Sequence, residues 1–85
     1  MNVEQYTKAI LKYLREAVKN GYNYGMSKKM IMEHLEIEPK TKGYYLFNWT
    51  IHRMMKLGKI KQAEVGGEKQ RGFYVLWKRK NAPPR

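Results

Sequence analysis

The run Phe47-Asn48-Trp49-Thr50-Ile51-His52-Arg53-Met54-Met55-Lys56-Leu57-Gly58-Lys59-Ile60-Lys61-Gln62-Ala63-Glu64-Val65 changes its hydrophobic period at Gly58. Before that glycine, Phe47, Ile51, Met54 and Met55 recur at i, i+4, i+7 and i+8, the spacing of one helix face. Thr41 is placed to cap this helix, so the reading is a helix from about Lys42 to Leu57. Gly58 then ends it, because glycine alone enters the left-handed conformation at a helix end without a steric penalty. After it, Ile60–Val65 and Phe73–Trp77 read as two strands rich in β-branched and aromatic residues. Between them lies Gly66-Gly67-Glu68-Lys69-Gln70-Arg71-Gly72, which predicts a hairpin whose basic loop is longer than a tight turn needs.

Working toward the N-terminus, Tyr6, Ile10, Tyr13, Leu14, Ala17 and Val18 make one apolar stripe and predict a helix over about Val3–Lys19. Asn20-Gly21 stops it. Tyr22–Met26 reads as a loop or a very short strand. Ser27 is a suitable cap for a short second helix reaching about Leu35, with Met30, Ile31 and Leu35 on its buried side. Pro39 ends that segment, since the residue before proline avoids the helical region. The order is helix, helix, helix, hairpin: an α+β fold over residues 1–78. The basic remainder, residues 79–85, is expected to be disordered.

Three helices followed by a two-stranded hairpin is the element order of the winged helix, a helix-turn-helix with a β-ribbon wing. The segment Trp49–Gln62 resembles the end of the third helix in linker-histone globular domains. There a small-Ile-basic-basic-apolar-apolar pattern runs on to Gly, an apolar residue, Lys and Gln. Gly66-Gly67 through Gly72-Phe73 resembles that family's glycine-rich wing and closing strand. The chain is also similar to small archaeal winged-helix regulators, whose third helix ends in the same way. The resemblance covers about 70 residues in element order and about 30 in motif. It implies double-stranded DNA binding, with the third helix in the major groove and the wing on the backbone or minor groove. The sequence departs from linker histones in having no long lysine-rich tail, so chromatin compaction is not expected.

Charge supports a polyanionic partner independently of any resemblance. The net charge is +11, and it is unevenly spread. Residues 1–39 carry six Lys and Arg against five Glu, a net +1; residues 40–85 carry twelve against two, a net +10. Such asymmetry points one end of a small fold at nucleic acid. Cysteine is absent, which excludes disulfides, thiolate metal sites and cysteine nucleophiles and suits an intracellular setting. No apolar run nears the roughly 18 residues of a membrane span. Enzymatic chemistry is not expected. There is no Asp, His34 and His52 stand 18 residues apart without a paired acid, and Ser27 is the only serine. Gly66-Gly67 is not a phosphate loop, because no GK[ST] follows. No metal, cofactor or small-molecule ligand is expected. His34 reads as a helix-surface residue.

The candidate DNA-binding residues fall into three groups. Opposite the inward set of the third helix lie Tyr45, Asn48, Trp49, His52, Arg53 and Lys56, with Lys42 at its start. Asn can pair with adenine, Arg with guanine and Lys with phosphate; the alternatives are an ordinary solvated face, a dimer contact through the aromatics, or their packing beneath the wing. In the hairpin, Lys69 and Arg71 flank the loop, and Lys59 and Lys61 lie at its base. These are phosphate-binding types, though the glycines and Glu68 also suit a plain solubilising loop. At the start of the second helix, Ser27, Lys28 and Lys29 suit a phosphate at a helix N-terminus, a weak signal because charged, capped first turns are common. Lys78-Arg79-Lys80 either drapes along DNA or keeps the chain soluble. The first helix and the last strand form a candidate homodimer surface, and a symmetric dimer reads a palindrome. Two other functions remain open. One is an RNA- or ribosome-associated winged helix using exposed aromatics on unpaired bases. The other is a protein-interaction module of a polymerase or replication complex.

Overall fold

A computed structural model describes residues 2–21 and 25–76. Expectations about Tyr22–Tyr24, Trp77 and the basic tail lie outside the described residues. The chain runs α1 (Val3–Lys19), β1 (Met26–Ser27), α2 (Lys28–His34), α3 (Lys42–Lys56), β2 (Ile60–Val65) and β3 (Glu68–Leu76). The fold is α+β, with three helices and one antiparallel sheet of strand order β1-β3-β2.

Local chemistry explains the helix starts. Asn2 and Gln5 form a reciprocal cap on α1: the Gln5 amide donates to the Asn2 side chain (2.8 Å) and the Asn2 amide to Gln5 Oε1 (2.9 Å). Ser27 Oγ accepts from the Met30 amide at 3.1 Å, and Thr41 Oγ1 from the Tyr44 amide at 3.2 Å. Thr41 Oγ1 also donates to the Glu38 carbonyl at 2.7 Å, tying the α2–α3 connection to the start of α3.

The ends of α2 and α3 are closed by one device. After α3, Gly58 is left-handed (φ 75°), and the Lys59 and Gly58 amides donate back to the Met54 and Met55 carbonyls. After α2, Ile37 and Glu36 donate to Met32 and Glu33 in the same pattern, with Glu36 in the left-handed position (φ 57°). The helix therefore stops at His34, before Pro39 can act on it. A side chain at such a position costs about 1–2 kcal/mol, partly offset by the lower chain entropy of a non-glycine residue. Glu36→Gly is accordingly expected to stabilise the fold by about 0.5–1 kcal/mol. A urea unfolding midpoint equal to or below that of the parent would contradict this.

The core is built where helix stripes meet the sheet. Ile10, Leu14, Ile31, Phe47, Ile51, Met54 and Ile60 are fully or almost fully buried, with Tyr6, Ala17, Met26, Met32 and Tyr74 around them. Phe47 meets Tyr6 edge-on, ring centroids 6.3 Å apart. α1 packs on α2, α3 and β3, and α3 also packs on β2. Thr50 is buried among these apolar groups because its hydroxyl donates to the Leu46 carbonyl at 2.7 Å. Burial raises the Tyr74 phenol above its ordinary value, since desolvation disfavours the phenolate.

Two expectations need correction. Met30 is exposed, and Met32 takes the buried place beside Ile31. The hairpin loop is not seven residues long. Gly66 and Gly67, both at positive φ (61° and 86°), make a two-residue turn that pairs Val65 with Glu68 and Glu64 with Lys69. Two successive positive-φ residues match the right-handed twist of the flanking strands, which is why such pairs make tight hairpins. The extra residues are absorbed lower down. Gln62 pairs with Tyr74 while Glu64 pairs with Lys69, so Gln70–Phe73 bulges opposite Ala63, with Gly72 at φ 75°.

Candidate nucleic-acid interface

The outer face of α3 follows from its inner one. With Phe47, Thr50, Ile51 and Met54 buried, a rotation of about 100° per residue sends Tyr45, Trp49, His52 and Lys56 to the opposite side. All four are exposed, Tyr45 at 63% and Trp49 at 56%. Asn48 is half-buried beside them, and Arg53 and Lys42 are exposed. No carboxylate occurs anywhere in α3. The rings are braced: the Arg53 guanidinium lies over the Trp49 ring (5.9 Å to the centroid), and Tyr44 meets Tyr45 edge-on at 5.5 Å.

The start of α2 joins this face through a residue not singled out in the sequence. Tyr44, half-buried, holds the Lys28 ammonium over its ring (5.0 Å), with Nζ donating to its hydroxyl at 3.4 Å. The Tyr44-Tyr45 pair thus splits, one ring bracing α2 and the other facing outward. Lys29 is exposed beside Lys28. Ser27 is committed to its cap, and α2 is only seven residues long, which weakens the reading of its N-terminus as a phosphate site.

Lys59, which precedes β2, lines a groove with Arg53 and Met54 of α3, with Leu57 that caps it, and with Val3, Glu4, Thr7, Lys8 and Leu11 of α1. Lys8 therefore adds a cation near Arg53 that only tertiary packing reveals. It already makes an exposed ion pair with Glu4 at 3.9 Å, of the kind that contributes little to stability. Lys61 is exposed on β2; Lys69 and Arg71 are exposed on β3, on an ordered strand and not on a loop. Glu64 stands opposite Lys69 in the ladder and tempers its charge.

His34 is exposed and stacks on Tyr13, centroids 4.1 Å apart. Among the described residues, no group of three His, Asp or Glu could hold a metal ion, and no helix is long and apolar enough to cross a membrane. No protein-family model, curated protein or solved structure matches this chain.

Proposed function

We propose that the protein is a winged-helix binder of double-stranded DNA, a small transcription regulator or architectural protein. The observation that carries this is the outer face of α3: exposed Tyr45, Trp49, His52, Arg53 and Lys56 with no carboxylate on the helix, in a chain of net charge +11. A helix about 10–12 Å across with its side chains fits the major groove, which is about 12 Å wide. The strand order β1-β3-β2, with β1 between α1 and α2 in the chain, supports the winged-helix reading. The β2–β3 hairpin then acts as the wing, presenting Lys69 and Arg71 to phosphates.

Fluorescence anisotropy of a labelled duplex at several salt concentrations tests this. Affinity is expected to fall linearly on a log–log plot, with a slope of about −0.9 per phosphate contacted. Arg71→Ala is expected to reduce the slope by about one phosphate and to weaken all sequences alike. Arg53→Ala is expected to weaken duplex binding by about 1–3 kcal/mol. No binding even at low salt would overturn the proposal. An effect of about tenfold or more from one base change favours a regulator; indifference to sequence favours an architectural role.

The exposed rings also suit stacking on unpaired bases, so an RNA-binding role is the second reading. Stronger binding to structured RNA in direct competition with duplex DNA would favour it.

A further inference from the structure

We infer that the outer face of α3 distinguishes A·T from G·C pairs by seating Tyr45 and Trp49 against thymine methyl groups. The inference rests on the duplex-DNA reading and deepens it by naming the chemical group that is read. Tyr45 and Trp49 are the two most exposed large hydrophobic residues of the described chain. They stand one helical turn apart on a single stripe, directly opposite the buried Phe47 and Met54. Exposed rings this large lose little by meeting another apolar group and gain by removing it from water.

The charge around the rings narrows the choice of occupant. Lys42, Arg53 and Lys56 share α3 with the rings, Arg53 lying over Trp49; Lys28 of α2 reaches Tyr44 next to Tyr45, and α3 carries no carboxylate. The DNA major groove has the complementary layout: phosphates along both rims and, at every A·T pair, one methyl group on an otherwise polar floor. The dimensions agree as well. Four helical residues rise about 6 Å, and two base-pair steps rise about 6.8 Å. Tyr45 and Trp49 therefore reach methyl groups about two base pairs apart. Asn48 lies between them in sequence, and its side chain suits the adenine of such a pair. Bracing favours groove contact over stacking on an extruded base. The Arg53 guanidinium already lies over the indole, and Tyr44 already packs against Tyr45, so the side chains enter the groove with their orientations restricted.

The test uses the full chain with a labelled single-stranded oligothymidine and four labelled duplexes of equal length: alternating A·T, the same with deoxyuridine for thymine, alternating G·C, and the same with 5-methylcytosine. Uracil removes only the methyl, and 5-methylcytosine restores a methyl at the equivalent groove position. Each methyl is worth roughly a factor of three to four, so the uracil duplex is expected to bind about tenfold more weakly. The methylated G·C duplex is expected to bind more tightly than the unmethylated one. In Trp49→Ala, with its fold checked by circular dichroism, most of the thymine–uracil difference is expected to disappear. Equal affinity for the thymine and uracil duplexes overturns the inference while leaving duplex binding intact. So does a difference that survives in both Trp49→Ala and Tyr45→Ala, which would place discrimination in DNA shape. Tighter binding to the single-stranded oligothymidine, lost in Trp49→Ala, also overturns it and assigns the rings to base stacking. No binding to any of the four duplexes removes the underlying duplex reading itself.

Discussion

Phe47→Ala is expected to lower the free energy of unfolding by about 3–5 kcal/mol. Phe47 is wholly buried, and it stands where α3 faces Tyr6 of α1. Truncation removes the favourable transfer of a phenyl ring from water and leaves a cavity that three helices cannot close without losing other contacts. It also removes the edge-to-face contact with Tyr6, worth about 0.5–1.5 kcal/mol beyond burial. Typical stabilities per residue put a chain of 85 residues at about 4–13 kcal/mol. The loss is thus a large share of the total. Phe47→Leu keeps most of the volume and is expected to cost clearly less. Chemical unfolding followed by circular dichroism measures both; a midpoint for Phe47→Ala close to that of the parent would show that the core is not centred on this ring.

Gly25→Ala is expected to destabilise by about 2–4 kcal/mol, combining left-handed strain with overpacking. Gly25 has φ +98°, and a Cβ there would meet Ala63 Cβ at 2.9 Å, the Tyr74 carbonyl oxygen at 3.0 Å and Val75 Cγ1 at 3.0 Å. The carbonyl cannot retreat, because Tyr74 is held in the sheet between Met26 and Gln62. Gly21 is the matched control. It too is left-handed, at φ +91°, but its Cβ position is open. Gly21→Ala should therefore show the backbone strain alone, about 1–2 kcal/mol. If the two variants unfold at the same denaturant concentration, the close approach of Gly25 to Ala63 of β2 and to Tyr74 and Val75 of β3 adds nothing.

Most helix boundaries were legible because their causes are local. Tyr6, Ile10 and Leu14 repeat along α1, Ser27 and Thr41 carry cap side chains, and Gly21 and Gly58 follow helix ends. The outer face of α3 was legible for the same reason: once Phe47, Ile51 and Met54 point inward, helical rotation places Tyr45, Trp49, His52 and Lys56 outside. The two-residue turn at Gly66-Gly67 was not read, because the glycines at both ends of Gly66–Gly72 suggested one long loop. Which glycines turn and which bulge depends on the pairing of Val65 with Glu68 and Gln62 with Tyr74.

By itself the sequence determined the helix periods, the caps, the placement of charge and the stripe of rings on the third helix, since each depends on neighbours within a few residues or on composition. Only the tertiary structure decided that Met32 is buried and Met30 exposed, that Thr50 sits in the core, that Tyr44 holds Lys28, and that Lys8 joins Arg53 and Lys59 at one groove. It also decided that Met26–Ser27 becomes a strand, through pairing with Phe73 and Tyr74 nearly fifty residues away. These outcomes depend on which surfaces of distant segments meet. Burial and strand pairing are properties of that meeting, and a local pattern does not encode it.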